Sequence, residues 1–157
     1  MPTKSSIKKL YILNRYGDSS LCYIGENFSC PGVELRLWEG KDILIGEDIM
    51  SSWNVMFFTS DGHGLYDKNG NRINQPDDIV INDHVWIGHN VKILQGSFIN
   101  SGCVVGTLSL IKKKYYEKNA ILIGQPATIR RTGIQWDRLR KTSIPPLEIS
   151  DAADCNK

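Results

Sequence analysis

The sequence has little net charge, few cysteines and no long apolar run, and each shortage excludes a class of protein. A formal charge of +2 over 157 residues predicts no nucleic acid partner. No apolar stretch approaches bilayer length, so no transmembrane segment is expected. The polar, basic residues 1–10 lack the apolar core of a secretory signal. The four cysteines form no CxxC pair, which favours a cytoplasmic protein over a disulfide scaffold.

Apolar residues in the second half of the chain recur every six positions. A helix repeats its apolar face every 3.6 residues and a strand every two, so a repeat of six fits neither alone. It fits short strands joined by tight corners and stacked as a solenoid. The spacing therefore predicts a single all-β domain of stacked coils. The repeat is carried by Ile81, Ile87, Ile93, Ile99, Val105 and Ile111.

Two further positions repeat with these anchors. The fourth residue after each anchor is small or apolar and is expected to face inward, as Cys103 and Ser109 do in this register. The residue directly after an anchor is often Gly or Asn, and both types tolerate the positive φ of sharp corners. We therefore expect the corners at these positions. They are Asn82, Gly88, Asn100 and Gly106.

The chain divides into four stretches. Residues 1–20 are predicted to form a polar lead-in, and residues 21–128 the coils. The repeat breaks over residues 58–78, which are rich in Gly, Asn and Asp and predict a loop extruded from the coil. Loops of about 20 residues in a compact domain are usually functional. Residues 129–157 are predicted to be a short C-terminal cap and tail.

Five strings, taken in order, resemble the left-handed β-helix acyltransferases with hexapeptide repeats, in their sugar and polysaccharide O-acetyltransferase branch. The resemblance implies a left-handed parallel β-helix with an extruded catalytic loop. It also implies a homotrimer with active sites between neighbouring coils and acetyl-CoA as the donor. The strings are TSDGH (59–63), IVINDHVWIG (79–88), ILQG (93–96), GQPA (124–127) and IQW (134–136).

His63 is the predicted general base. The resemblance puts the family's catalytic histidine at this Gly-His position, and the chemistry agrees. An alcohol is a poor nucleophile at neutral pH, and imidazole can take its proton as the C–O bond forms. Asp61 has two interpretations. It orients the imidazole as part of a catalytic pair, or it is a turn-forming residue of the loop.

The resemblance assigns the acceptor site to Trp86 and Asn54. In the family, the tryptophan of the string Val-Trp-Ile-Gly flanks the acetyl-transfer centre and walls the acceptor pocket. An indole offers a flat stacking face for a sugar ring and one N–H donor. The alternative for Trp86 is an aromatic side chain packed under the loop, and the two roles are compatible.

The donor site is implied by resemblance alone. Relatives hold CoA along the coil near residues 105–113, where basic side chains would contact its phosphates, although a charge run is more often a solvated face. Leu108 and Lys112 depart from the family, which usually has Gly and a hydroxyl residue there. The predicted CoA-binding residues are His89, Gly106, Thr107, Ser109, Lys112, Lys113, Pro126 and Arg131.

Two other classes of protein are built from the same hexapeptide coils. The gamma-class carbonic anhydrases bind zinc through three histidines, and this chain has His63, His84 and His89. Their ligand pair occupies the third and second positions of successive hexads. Here the pair occupies the fourth and third, and a shift of one residue turns a strand side chain to the other face. The second class is a structural scaffold without catalytic activity, and such a scaffold would have no need of the loop.

The sequence thus predicts a cytoplasmic, homotrimeric, metal-free enzyme that transfers acetyl from acetyl-CoA to a sugar hydroxyl. The acceptor is expected in a bacterial capsule, a lipopolysaccharide or a related glycan. Backbone amides at a corner of the coil would stabilise the oxyanion. N-acetylation of an amino sugar remains an alternative, because that reaction uses the same base.

Overall fold

The computed structural model describes residues 6–15 and 19–139, whose regular structure consists of short β-strands. Parts of the predicted lead-in and of the predicted cap and tail, at 1–5, 16–18 and 140–157, lie outside the described residues. Within the described part, no helix is long and apolar enough to cross a membrane. The strands are β1 Leu10–Asn14, β2 Cys22–Ile24, β3 Val33–Leu37, β4 Ile43–Ile45, β5 Met50–Ser51, β6 Val55–Phe58, β7 Ile79–Ile81, β8 Trp86–Ile87, β9 Lys92–Leu94, β10 Phe98–Ile99, β11 Val104–Val105, β12 Leu110–Ile111, β13 Lys114–Tyr115, β14 Ile121–Gly124 and β15 Ala127–Arg131.

The strands form three five-stranded sheets, which are the three sides of a β-helix. The first sheet has the order β1-β3-β6-β9-β12, the second β13-β10-β7-β4-β2 and the third β15-β14-β11-β8-β5. Strands stacked on one another within a sheet pair in parallel, except β14 with β15. Asn82 and Asn100 occupy equivalent places on successive coils and lie 18 residues apart. One coil is therefore three hexads, and the predicted parallel β-helix is confirmed.

The six-residue anchors fill the interior. Each is at most 1% exposed, and the neighbouring inward residues Ser97, Cys103 and Ser109 are buried with them. Because the sheets enclose a narrow triangle, each side of a coil directs only a few side chains inward, such as Val85 and Ile87 or Ile79 and Ile81. Burial of each such isoleucine or valine contributes about 1.5–3 kcal/mol, and the regular repeat distributes this stabilisation over every coil.

Three corners join the sheets, and we name them by what they carry. The loop corner, between the first and second sheets, contains Glu39, Thr59, Asp78, Gly96 and Lys113. The strap corner, between the second and third sheets, contains Asn27, Asp48, His84, Gly102 and Asn119. The groove corner, between the third and first sheets, contains Gly32, Asn54, Asn90, Leu108 and Gln125.

The predicted position of the corners is wrong by two residues. Positive φ falls on the third residue after the anchor, not the first. It occurs at Asp48, Asn54, His84, Asn90 and Leu108, with φ of 54–62°. Gly88 follows its anchor directly and meets a different requirement. A Cβ built on Gly88 would lie 2.7 Å from the Thr107 amide nitrogen of the next coil. That glycine permits close stacking of coils.

Gly88→Ala is therefore expected to destabilise the coil by about 1–3 kcal/mol, because backbone atoms of the next coil must move to admit the methyl group. Urea unfolding would measure the loss. Gly32→Ala is the matched control. Its Cβ would meet nothing closer than 3.7 Å, so its stability should be unchanged or slightly raised. Equal midpoints for the two variants would contradict the stacking requirement.

The loop leaves the coil between β6 and β7, over residues 59–78, and Phe58 belongs to β6 rather than to the predicted break. Asp48 and His84 are neighbours on successive coils but lie 36 residues apart, against 18 for an uninterrupted coil. The insertion is thus 18 residues, the length of one whole coil. For this reason the hexads resume after the loop in the same phase.

Beyond the last coil the chain turns back on itself. β15 pairs antiparallel with β14, and the Tyr115 hydroxyl donates to the Ala127 carbonyl at 2.8 Å. Residues 132–139, which we call the strap, then run along the strap corner. The Ile134 amide donates to the Asn119 carbonyl, and Arg138 reaches the Asn27 carbonyl. The strap therefore spans the stack from its last coil towards its first.

Candidate active site

Two buried hydroxyl groups at the start of the loop hydrogen-bond to the coil. Thr59 and Ser60 are both fully buried at the loop corner. The Thr59 hydroxyl accepts a hydrogen bond from the Trp38 amide at 2.8 Å, and the Ser60 hydroxyl donates to Glu39 at 3.0 Å. Arg72, on the returning arm of the loop, donates to the same Glu39 carboxylate at 2.8 Å. Both arms of the loop are thus fixed to one acidic side chain of the coil.

His63 is exposed at the tip of the first arm. The Asn74 side-chain amide donates to the His63 carbonyl and to Asp61 Oδ2, both at 2.8 Å. Gln95 of the coil also donates to Asp61 Oδ2, at 3.2 Å. Asp61 therefore holds the backbone beneath His63 through Asn74. Asn74 was not predicted as a site residue, because one asparagine in a loop rich in asparagine gives no distinct signal.

Trp86 projects outward from the third sheet and is 41% exposed. Met50 and Val104 flank it in the neighbouring strands. One edge of its indole meets Trp136 of the strap, with ring centroids 6.2 Å apart. The exposed part of the indole is available as a stacking face for a ligand.

One chain holds His63 and Trp86 on different sides. The loop's bonds to the coil, through Glu39 and Gln95, lie at the loop corner. Trp86 lies on the third sheet, the side opposite that corner in a three-sided coil.

The predicted donor residues fall into two groups. Three of them lie at the groove corner, where the Leu108 amide donates to the His89 carbonyl at 2.9 Å. They are His89, Gly106 and Thr107. Pro126 is exposed in the turn between β14 and β15. The remaining basic residues lie elsewhere: Lys112 and Lys113 at the loop corner, and Arg131 at the end of β15.

Ser109 is a correction to the predicted donor set. Its side chain points into the coil and is 1% exposed, and its hydroxyl accepts a hydrogen bond from the Gly124 amide. The hexad pattern already indicated that position as inward. The glycine that the family resemblance implies at position 108, where this chain has Leu108, also has a structural explanation. The φ of Leu108 is 62°, and the left-handed conformation is most readily adopted by glycine, the residue that the family resemblance leads us to expect there.

A groove with a volume of about 280 Å³ lies on the first sheet beside the groove corner. Its lining includes Tyr11, Trp53 and the predicted acceptor residue Asn54. Trp53 is 58% exposed and meets His89 edge-on, with ring centroids 6.4 Å apart. Trp53 was not predicted as a site residue. It precedes the left-handed corner residue Asn54, and its outward position follows only when the positions of the corners are known.

His84 is engaged on both ring nitrogens. Nδ1 lies 2.6 Å from Asp48 Oδ2 and Nε2 lies 3.2 Å from the Trp136 carbonyl oxygen. The three histidines His63, His84 and His89 sit at three different corners. Within residues 6–15 and 19–139, no three His, Cys, Asp or Glu side chains are grouped to hold a metal. One chain therefore does not bring His63, His84 and His89 together.

The strap corner also contains an ion pair. Arg138 Nε donates to Asp48 Oδ1 at 2.6 Å. Burial raises the pKa of the Asp48 carboxyl, but the hydrogen bonds from His84 and Arg138 outweigh it, and the pKa lies below its ordinary value. Asp48 is therefore charged at neutral pH, and the strap is held by a charge-assisted bond.

No protein-family model matches the chain, but individual proteins do. It is 36% identical over 116 residues to a polysialic acid O-acetyltransferase of Escherichia coli O1:K1, a match covering 73% of this chain and 36% of the relative. It is 38% identical over 106 residues to a polysialic acid O-acetyltransferase of Neisseria meningitidis, covering 67% and 49%. The chain thus spans between about a third and half the length of these curated relatives.

Solved structures agree with the fold. The polysialic acid O-acetyltransferase OatWY superposes with a TM-score of 0.75 at 28% identity, covering 88% of this chain and 66% of that one. The polysialic-acid-specific acetyltransferase NeuO gives a TM-score of 0.69 at 23% identity, covering 88% and 74%. The predicted left-handed coil is confirmed by these matches. The chain belongs to the hexapeptide-repeat, left-handed β-helix acyltransferases, and its relatives are sugar and polysaccharide O-acetyltransferases.

Proposed function

We propose that this chain transfers acetyl from acetyl-CoA to a hydroxyl group of a sugar or glycan, with His63 as general base. The observation that carries the proposal is the exposed His63 imidazole, displayed by a loop whose two arms are fixed to Glu39. The relatives of this chain are named polysialic acid O-acetyltransferases, which is the second support for the proposal. A rigid loop with an exposed imidazole suits a base that must meet its substrate at a fixed position.

In the proposed reaction a ring nitrogen of His63 takes the hydroxyl proton as the acceptor oxygen bonds to the thioester carbonyl carbon. The oxyanion that forms would be stabilised by backbone amides at a corner of the coil. The C–S bond then breaks, and His63 returns the proton to the departing thiolate. The two substrates meet directly, so the proposal requires no covalent enzyme intermediate.

The proposed active unit is a homotrimer. Because His63 and Trp86 lie on different sides of one coil, a neighbouring copy would bring its loop corner to this chain's third sheet and groove corner. Apolar side chains on the outer faces favour such packing. Leu44, Val80 and Phe98 form a continuous row along the second sheet, and each is only partly exposed.

The same arrangement unites the two groups of proposed donor residues. His89, Gly106 and Thr107 of one copy would line the path of the pantetheine arm, with Pro126 below them. Lys112 and Lys113 share the loop corner with His63. The loop corner of the neighbouring copy would therefore bring these three residues to the groove corner of this chain. Their ammonium groups and the Arg131 guanidinium suit the phosphates of CoA.

The proposed acceptor is a glycan of the bacterial surface, such as a capsular polysaccharide or lipopolysaccharide. The support is the names of two relatives, which modify polysialic acid. Asn54 and the exposed part of the Trp86 indole are the proposed acceptor contacts. A cytoplasmic site of action fits the use of acetyl-CoA, since that thioester is made and consumed in the cytoplasm.

Thiol release from acetyl-CoA would test the proposal. Purified protein is incubated with the donor and, in parallel, with polysialic acid, a lipopolysaccharide core oligosaccharide and an amino sugar. Acceptor-dependent thiol release is expected with a hydroxyl acceptor, and hydroxylamine should remove the product's acetyl group as an ester. A hydroxylamine-stable product on the amino sugar would favour N-acetylation. Stoichiometric zinc bound by the histidines would contradict the acyltransferase mechanism.

A further inference from the structure

The strap is fixed by a guanidinium group that bonds to two coils. Arg138 donates to Asp48 Oδ1 at 2.6 Å, to the Ser29 hydroxyl at 2.6 Å and to the Asn27 carbonyl at 2.7 Å. Its side chain is only 15% exposed. A partly buried guanidinium with three directed bonds fixes both the position and the orientation of the segment that carries it.

Trp136 is the next fixed group along the strap. It is 8% exposed and stacks on the His84 ring, with centroids 4.0 Å apart and planes inclined by 9°. Its indole N–H donates to the His84 carbonyl at 3.1 Å. His84 is held in turn by Asp48. The Trp136 ring is therefore fixed on one face by His84 and at one edge by the coil backbone.

The fixed Trp136 ring lies beside the ring of Trp86. The two ring centroids lie 6.2 Å apart, with the planes inclined by 49°. Met50 and Val104 flank Trp86 along the sheet, but the side chain remains 41% exposed. Trp136 supplies a rigid neighbour on the strap side, and part of the Trp86 indole stays exposed.

We propose that Trp136 is a positioning residue that holds the Trp86 indole in the conformation needed to receive the acceptor sugar. This inference rests on the proposed function, in which Trp86 walls the acceptor pocket. A mobile indole would have to be ordered when the sugar binds, and that cost weakens binding. With the strap in place the indole is ordered beforehand.

The predicted kinetic effect is specific. Trp136→Leu removes the stacked ring and should raise the KM for the acceptor by about five- to tenfold. It should leave kcat within about twofold and the KM for acetyl-CoA unchanged, because neither His63 nor the groove corner touches the strap. Trp136→Phe keeps a ring against His84 and should retain most of the affinity. Thr132→Ala, at an exposed strap position, is the matched control.

A double-mutant cycle separates positioning from simple stabilisation. If Trp136 acts through Trp86, then Trp136→Leu should change nothing further in a Trp86→Ala background. An equal rise in acceptor KM in both backgrounds would overturn the proposal. If Trp136→Leu fails to fold, Arg138→Lys tests the same point, since the lysine cannot make the three directed bonds that fix the strap.

Fluorine NMR gives a readout that needs no turnover. The four tryptophans can be labelled as 5-fluorotryptophan and assigned by substitution. The Trp86 resonance should be narrow in the parent protein and in Thr132→Ala, and broadened or split in Trp136→Leu. An unchanged resonance would overturn the positioning role even if acetyl transfer is confirmed. A parent protein without transferase activity would overturn the proposed function, while this signal would still report the packing.

Discussion

Replacing His63 with alanine is expected to lower kcat for acetyl transfer by about 10²–10⁴-fold, the usual contribution of a positioned general base. The loop should keep its shape, because its fixed points are Thr59, Ser60 and Asn74, and Asn74 binds the His63 backbone rather than its ring. Steady-state thiol release would measure the loss. The KM for acetyl-CoA should change little.

Lys68→Ala is the matched control for this variant, since Lys68 is an exposed residue of the same loop and has no proposed role in the reaction. Its kcat should equal that of the parent protein. Sedimentation of both variants would verify that the assembly is intact. A His63→Ala protein that assembles and turns over at the parent rate would remove His63 from the mechanism.

Ile93→Ala is expected to lower the free energy of unfolding by about 2–5 kcal/mol. Ile93 is fully buried, and it lies between Phe57 and Ile111 of the adjacent coils. Truncation therefore leaves a cavity that the stacked backbone cannot close, because the spacing of the coils is set by their hydrogen bonds. Urea unfolding would measure the change.

Ile73→Ala makes the same chemical change at a side chain that is 66% exposed. Its effect on stability should stay within about 0.5 kcal/mol, as is usual for surface substitutions. The comparison isolates burial from side-chain chemistry. A similar cost for the two variants would mean that the interior of the coil is not the main source of its stability.

The positions of strands and inward residues could be predicted from sequence because the coil repeats one local geometry. An inward isoleucine such as Ile87 recurs wherever the chain passes the same side. The corners were misassigned because glycine satisfies two requirements. It accepts a left-handed φ, and it permits close approach of backbones, and Gly88 serves the second. Composition alone does not separate these causes.

The loop that carries His63 was evident as a break in the repeat, but the surroundings of His63 were not. Whether Trp86 lies beside it depends on which corner carries the loop, and that follows from the three-dimensional phase of the coil. The strap was expected only as a short cap, and its contacts with the coil were not evident. Arg138 and Asp48 are 90 residues apart, and no local pattern identifies which of many charged residues will pair.

The length of the loop has a consequence for how such proteins can be varied. An insertion of one whole coil leaves each later residue on the side it would have occupied without the insertion. The loop that carries His63 is therefore an insert whose replacement by another segment of similar span would leave the downstream coils in register. A chain of this design can exchange the loop that carries its proposed base while Asn54 and Trp86, the proposed acceptor contacts, stay on an unchanged scaffold.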